Sequence, residues 1–349
     1  MGLRGFVIKR IIYSFLLVLF VLVLNFVIFQ VMPGNPIELF AGAGKLKNEQ
    51  QKNEVIASFG LDQPITVRFQ KYVVNMLTGQ FGISFISQNY IATEVVGRLS
   101  NTLLLMGTSE ILAMVLGILL GVIAAKKRGG LFDNASVVMS LTTYSLPSFW
   151  MGMIFLLIFY KTLGWFPGAG AYPRDWVTTY AASGGFPPRL ILGTLPGGMT
   201  LALPSLTEIA GRLWHLTLPT LTLTLFTYGG YLLLTRATML EALTEDYIVT
   251  ARAKGLSERT VLYKHALKNA SLPLITSIAL TFGFILSGAI ITEQVFTYPG
   301  LGQWTWNAIQ MRDYPALQAI FYITAISVIV ANFIADILYG LVDPRIKYR

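Results

Sequence analysis

Six long apolar runs separated by polar stretches dominate the sequence: Phe6–Val31, Asn101–Ala125, Ser136–Tyr160, Leu216–Leu234, Leu272–Thr292 and Ala316–Leu341. Each approaches the roughly 20 residues needed to cross a bilayer, so each predicts a transmembrane helix. The first run exceeds the apolar core of a signal peptide and no small-x-small cleavage site follows it, so it reads as a retained span. A seventh stretch, Leu190–Leu206, is apolar but carries Pro196, Gly197, Gly198 and Pro204. A lipid-exposed helix would break there, so this stretch is expected outside the bilayer or dipping into the core. Inserting it as a span would also send the following polar segment to the opposite face.

That polar segment, Arg236–Pro273, is short of Pro and Gly and lies between two apolar runs, which predicts a folded element. Thr244 with Glu245 and Asp246 supplies a cap and acids at a helix start, and Arg252 and Lys254 supply cations at its end. Gly255 is the expected stop, because a residue just past a helix favours the left-handed conformation. Ser257 then caps a second helix through Val261, Leu262 and His265 that enters a span near Pro273. The pattern is a two-helix knob bent at a glycine.

Composition agrees with the spans: 54% of residues are hydrophobic and 12% charged, against about a quarter charged in soluble domains. The net charge of +9 does not form a basic stripe interleaved with aromatics, so no nucleic-acid partner is expected. The cations gather at span ends instead. Arg4, Lys9, Arg10, Lys126, Lys127, Arg128, six residues within 236–268, Arg345, Lys347 and Arg349 fall on one side; six of the remaining eleven lie in one loop of more than 60 residues. The positive-inside rule therefore predicts cytoplasmic termini and a cytoplasmic knob. The absence of cysteine excludes disulfides and thiolate metal sites.

The order Asp-Tyr-Ile-x-Thr-Ala-Arg-Ala-Lys-Gly-Leu-Ser-Glu-Arg at Asp246–Arg259, followed by His265-Ala-Leu-Lys-Asn269, resembles the coupling loop of ABC-importer permeases of the oligopeptide/dipeptide branch. Val249, Thr250 and Ala251 stand where the general motif has Glu-Ala-Ala, and Lys268 replaces its proline; both departures are usual in that branch. Met32-Pro-Gly-Asn-Pro36 is similar to the Met-Pro-Gly-Asp-Pro that follows the first span of one permease subunit of these importers, with an amide for the acid. Phe59–Pro64, Gly79-x-x-Gly-x-Ser84, Ser145–Trp150, Leu163–Gly168, His215–Pro219, Tyr298–Gly302, Arg312–Pro315 and Asp343–Tyr348 extend the resemblance over all six spans. Thr178–Arg212 matches nothing in it.

The resemblance implies an all-α polytopic protein with the type I ABC importer permease fold and six spans. Residues 1–31 would form the N-terminal tail and first span, and 32–98 an extracellular cap. Residues 99–349 would form a five-helix core with an extracellular loop at 161–215 and a cytoplasmic coupling loop at 236–271. It implies a prokaryotic cell membrane, a second related permease, two cytoplasmic ATPase subunits and an extracellular or periplasmic binding protein as partners. The expected contact with the ATPases is Thr250, Ala251, Arg252, Ala253, Lys254, Gly255, Leu256 and Ser257. Ala251 and Ala253 are small enough to enter a groove, Gly255 makes the bend, and Arg252 and Lys254 either pair with partner acids or serve as charges at a helix end.

No nucleotide or catalytic motif accompanies this pattern. Gly42-Ala-Gly-Lys45 lacks the phosphate-loop spacing, neither His-Glu-x-x-His nor Gly-x-Ser-x-Gly occurs, and His215 and His265 fall at opposite faces. The chain is therefore read as a non-catalytic subunit that binds no cofactor itself, with ATP and Mg²⁺ used by its partners. Ionisable groups inside spans are functional candidates by default, which singles out Glu110, Glu293 and Asp336, with Asn332 one turn before Asp336, as substrate-path candidates. Asp336 has the alternative of pairing with a nearby cation to pin its helix. Gly117 and Gly121 read as a close helix contact. The expected substrate is an oligopeptide or dipeptide; oligosaccharide import is the alternative within the fold. Ion-coupled secondary transport, for which no internal repeat is found, and a receptor or scaffold role are alternatives of other classes.

Overall fold

The computed structural model describes residues 3–31, 48–180, 186–187, 189–194, 200–285 and 289–342. Met32–Pro36, Gly42–Lys45 and Asp343–Tyr348 lie outside them. Helix α1 is Leu3–Val31, and a helical pair, α2 (Glu49–Phe59) and α3 (Ile65–Thr78), follows it. Gly60 and Gly79 end these two helices in the left-handed conformation, at φ 61° and 76°, so both punctuating glycines act as helix stops. Then come α4 (Ile91–Lys126), α5 (Leu131–Ser145), α6 (Ser148–Phe155, continuing as a π-helix to Thr162) and the single turn α7 (Trp176–Thr179).

The described residues 190–194 and 200–203 of the apolar stretch are strands, not helix. Leu190–Thr194 (β1) and Thr200–Leu203 (β2) pair antiparallel, Leu190 with Leu203, and the chain then enters α8, Leu206–Ala242. The knob consists of α9 (Asp246–Ala253) and α10 (Glu258–Thr260), and α10 passes through a π-helical stretch, Val261–Ala266, into α11 (Leu267–Ile285). Three helices close the chain: α12 (Ile290–Val295), α13 (Leu301–Met311) and α14 (Tyr314–Val342).

Within the described residues, Val7–Phe29, Ile91–Lys126 and Tyr314–Ile337 are long and apolar enough to cross a membrane, and α5 with α6 makes a fourth candidate bent by 99°. The bend corrects the expectation of one helix over Ser136–Tyr160. Pro147 excludes its predecessor from the helical region, and Leu146 is extended at φ −79°, ψ 134°. The expected span Leu272–Thr292 is likewise not one regular helix over its described residues: Ala289 is non-helical at φ −111°, ψ 71°, and α12 starts after it. Helix α8 overruns the expected Leu216–Leu234 at both ends and keeps Pro219 in its interior.

The core is built on α4 against α8. A Cβ added at Gly117 would lie 2.5 Å from the Tyr231 Cβ, and one at Gly121 2.6 Å from the Thr235 Cβ. These two glycines, one turn apart, let the backbones approach as the sequence spacing implied. At one end of the molecule α2, α3, α13 and the adjoining parts of α1 and α14 share a large apolar cluster around Phe29, Phe59, Tyr72, Trp304 and Ile320. At the other end a second cluster joins the ends of α4 and α8 to the knob.

Candidate functional site

The knob is short, and its stability comes from what it sits on. Ile248 and Ala251 of α9, and Val261, Leu262 and Ala266 after the bend, are buried against Val122 and Ala125 of α4 and Met239 and Ala242 of α8. Gly255 adopts φ 73° and donates its N–H to the Arg252 carbonyl at 2.9 Å, which turns the chain as expected. A Cβ there would meet nothing within 4 Å, so the glycine is required by backbone conformation alone. Ser257 caps the second helix, its Oγ accepting the Thr260 N–H at 3.4 Å.

One expectation for the knob is corrected, and two of its expected contact residues are engaged within the chain. Thr244 does not cap α9: its hydroxyl donates back to the Glu241 carbonyl at 2.7 Å and Glu245 takes the cap position, a local bond hydroxyl residues readily make at helix ends. Ala251 faces its own chain with 5% exposure, so its small size serves internal packing. Arg252 is forked onto Glu258, with Nε to Oε1 at 2.8 Å, an intramolecular pair across the bend. Thr250, Ala253, Lys254, Gly255, Leu256 and Ser257 are exposed. Beside them stands Val249, 61% exposed, which the sequence reading passed over.

Near the knob, Asp133 at the start of α5 is fully buried and accepts from Arg236 of α8, Nε to Oδ1 at 2.5 Å and Nη2 to Oδ2 at 2.8 Å, with the Gly129 N–H at 2.9 Å. Asp133 is the only acid between Glu110 and Asp175, and that isolation was its signal in the sequence.

The four substrate-path candidates do not converge. Glu293 is fully buried and its oxygens are taken: Thr102 Oγ1 donates at 2.9 Å and the Gln303 N–H at 2.9 Å. It clamps the first turn of α13, where a carboxylate suits the helix's positive end. Asp336 pairs with Arg10 of α1 at 2.8 Å, which is the helix-pinning alternative. Asn332 is exposed on α14. Glu110 is buried and accepts a short hydrogen bond from the Tyr231 hydroxyl, itself 3.2 Å from Thr281 Oγ1, so α4, α8 and α11 meet at one polar point. Arg10–Asp336 lies at the far end of α14 from the Ser84–Asp313 hydrogen bond, and the knob at the far end of α4 from the same contact.

The Gly, Arg and Asp positions that carry part of the resemblance take physical form at the opposite end. Gly300 precedes α13, Arg312 ends it in the left-handed conformation at φ 54°, and Asp313 caps α14 by accepting the Ala316 N–H at 3.2 Å while Ser84 donates to it at 2.6 Å.

Long helices with a glycine-bent element between α8 and α11 set the frame in which the sequence families are compared. The chain matches the family of binding-protein-dependent transport system inner membrane components over residues 117–348, and the N-terminal region of such components over residues 3–106. It belongs to that family, with the type I ABC permease fold, in the oligopeptide/dipeptide branch. It is 37% identical to the di/tripeptide transport system permease protein DppB of Pseudomonas aeruginosa, covering 94% of each chain. It is 35% identical to the oligopeptide transport system permease protein AppB of Bacillus subtilis, over 99% of this chain and 100% of that one. It is 34% identical to the glutathione transport system permease protein GsiC of Escherichia coli, over 99% of each.

Proposed function

We propose that this chain is one of two related membrane subunits of an ATP-driven importer that passes short peptides received from a binding protein outside the membrane. Relatives named for di- and tripeptides, oligopeptides and glutathione support the peptide class, and none of these names favours oligosaccharides. In this reading the chain catalyses nothing: two ATPase subunits on the cytoplasmic side use ATP and Mg²⁺, and the knob receives their motion. The termini and the knob then face the cytoplasm, as the distribution of cations implies.

The observation that carries the reading is the two-sidedness of the knob. One face is packed onto α4 and α8 through Ile248, Ala251, Val261 and Ala266, and the other presents Val249, Ala253, Lys254 and Leu256 outward. A joint of this kind transmits force because its packed side resists deformation. Driving a two-state gate from 1:99 to 99:1 takes roughly 5.5 kcal/mol of differential binding, which a soft contact would dissipate.

The test is Gly255→Val in the assembled transporter. A β-branched residue at φ 73° costs about 1–2 kcal/mol in backbone strain, with no clash. Subunits should co-purify and hydrolyse ATP while peptide uptake falls. Peptide uptake driven by an ion gradient without ATPase subunits would overturn the reading, as would undiminished uptake in the variant.

A further inference from the structure

Where α4 ends beside the knob there is a cavity of about 380 Å³. Its apolar members are Val122, Ile123 and Leu262, its cations Lys126, Lys127 and Arg259, and Tyr263 completes the wall. The apolar run of α4 stops at Ala125, so Lys126 and Lys127 stand where hydrocarbon gives way to the headgroup layer. Arg259 reaches the same hollow from the helix that follows the Gly255 bend. Among the described residues none of these three cations has a carboxylate within 4.0 Å, although Arg236 and Arg252 close by are each paired within the chain. Three like charges around one partly apolar hollow give it a positive potential that an anion between them would lower; all three are exposed, and Lys127 Nζ also stands 5.4 Å from the centroid of the Phe132 ring.

The geometry points to a binding site for an anionic phospholipid at the junction of α4 and the coupling knob. The phosphodiester sits among Lys126, Lys127 and Arg259, and an acyl chain runs from Ile123 along α4. That track exists: Leu112, Leu116 and Leu119 are 47%, 41% and 46% exposed and fall with Ile123 on one helical face, three or four residues apart. Basic pockets at the cytoplasmic end of membrane helices favour such headgroups. An acidic side chain from an ATPase subunit would satisfy the charges but would leave the apolar track leading into the cavity without a role. The inference concerns binding and stands whether or not the chain transports peptides.

The experiment is native mass spectrometry of the complete transporter extracted from nanodiscs of phosphatidylcholine containing a minor fraction of phosphatidylglycerol. The wild type should retain phosphatidylglycerol selectively. Lys126→Gln/Lys127→Gln/Arg259→Gln should retain roughly tenfold less, and the charge-keeping Lys126→Arg/Lys127→Arg/Arg259→Lys should match the wild type. Lys126→Gln/Lys127→Gln, which leaves the knob untouched, should show the same direction if the triple variant assembles poorly. Equal retention in the wild type and both Gln variants would overturn the site. Displacement of the lipid by millimolar inorganic phosphate would make it a free-anion site instead, and loss of ATPase subunits with lipid retained would assign the cations to that interface.

Discussion

The cap end and the knob end of this molecule are both anchored by buried residues, but of different kinds. Around α13, Trp304, Tyr298 and Leu301 are almost fully buried and pack about two carboxylates, Glu293 and Asp313, whose oxygens accept backbone and hydroxyl protons from residues as far away in sequence as Thr102 and Ser84. Beneath the knob the packing residues are Ala251, Ala266, Ala270, Ile248 and Val261, and the buried carboxylate nearby, Asp133, is held by Arg236 of α8 and not by the knob. Directional hydrogen bonds fix one arrangement and punish any other. Small smooth side chains keep a helix seated while leaving its outward face free to be gripped. The cap end is thus fixed by directional bonds, and the knob by apolar packing that leaves its outer face free.

Breaking the cap end should cost most. Glu293→Ala leaves the buried Gln303 N–H and the Thr102 hydroxyl without their acceptor, a loss of about 3 kcal/mol; thermal unfolding of the purified transporter and its yield in membranes would register it. Retained stability would show that water or a neighbouring group substitutes for the carboxylate. Next comes Ala251→Leu, which forces three extra heavy atoms into a site only 5% exposed and should cost about 1–3 kcal/mol by overpacking. Its readout is sharper than stability: uptake should fall further than ATP hydrolysis, because the knob is lifted from α4 and α8. Proportional loss of both activities would mean that the packed face serves only folding.

The boundary between what the sequence discloses and what it hides runs along the same division. The knob was legible because its signals are local: Gly255 at a helix end, Ser257 one residue before its helix, a polar run between two apolar ones. The glycine pair Gly117 and Gly121 was legible for the same reason. The clamp that Glu293 makes was hidden because its partners, Thr102 and the α13 backbone, lie 191 and 10 residues away, and no spacing rule links them. The bend at Pro147 was visible in the sequence as Leu-Pro, yet the apolar run around it was long enough to suggest one straight span. Arg252 was expected to pair with partner acids or to serve as a charge at a helix end; Glu258, six residues on, is brought alongside only by the turn at Gly255.

That last pair yields the smallest folding effect and the most informative contrast. Arg252 and Glu258 are 46% and 53% exposed, so water competes for both and either alanine substitution should change stability by no more than about 0.5 kcal/mol. Their effects on assembly should differ. If Arg252 leaves Glu258 to meet an acid on an ATPase subunit, Arg252→Ala weakens ATPase association, while Glu258→Ala frees the guanidinium and leaves association unchanged or tighter. Association constants for the two single variants and the double variant, measured on the purified permease pair with its ATPases, close a thermodynamic cycle. The expected cycle has the double variant behaving like Arg252→Ala alone. Equal losses from both single variants, with nothing further lost in the double, would instead make the intramolecular ion pair the unit that the partner reads, and Arg252 would have no separate place in the contact.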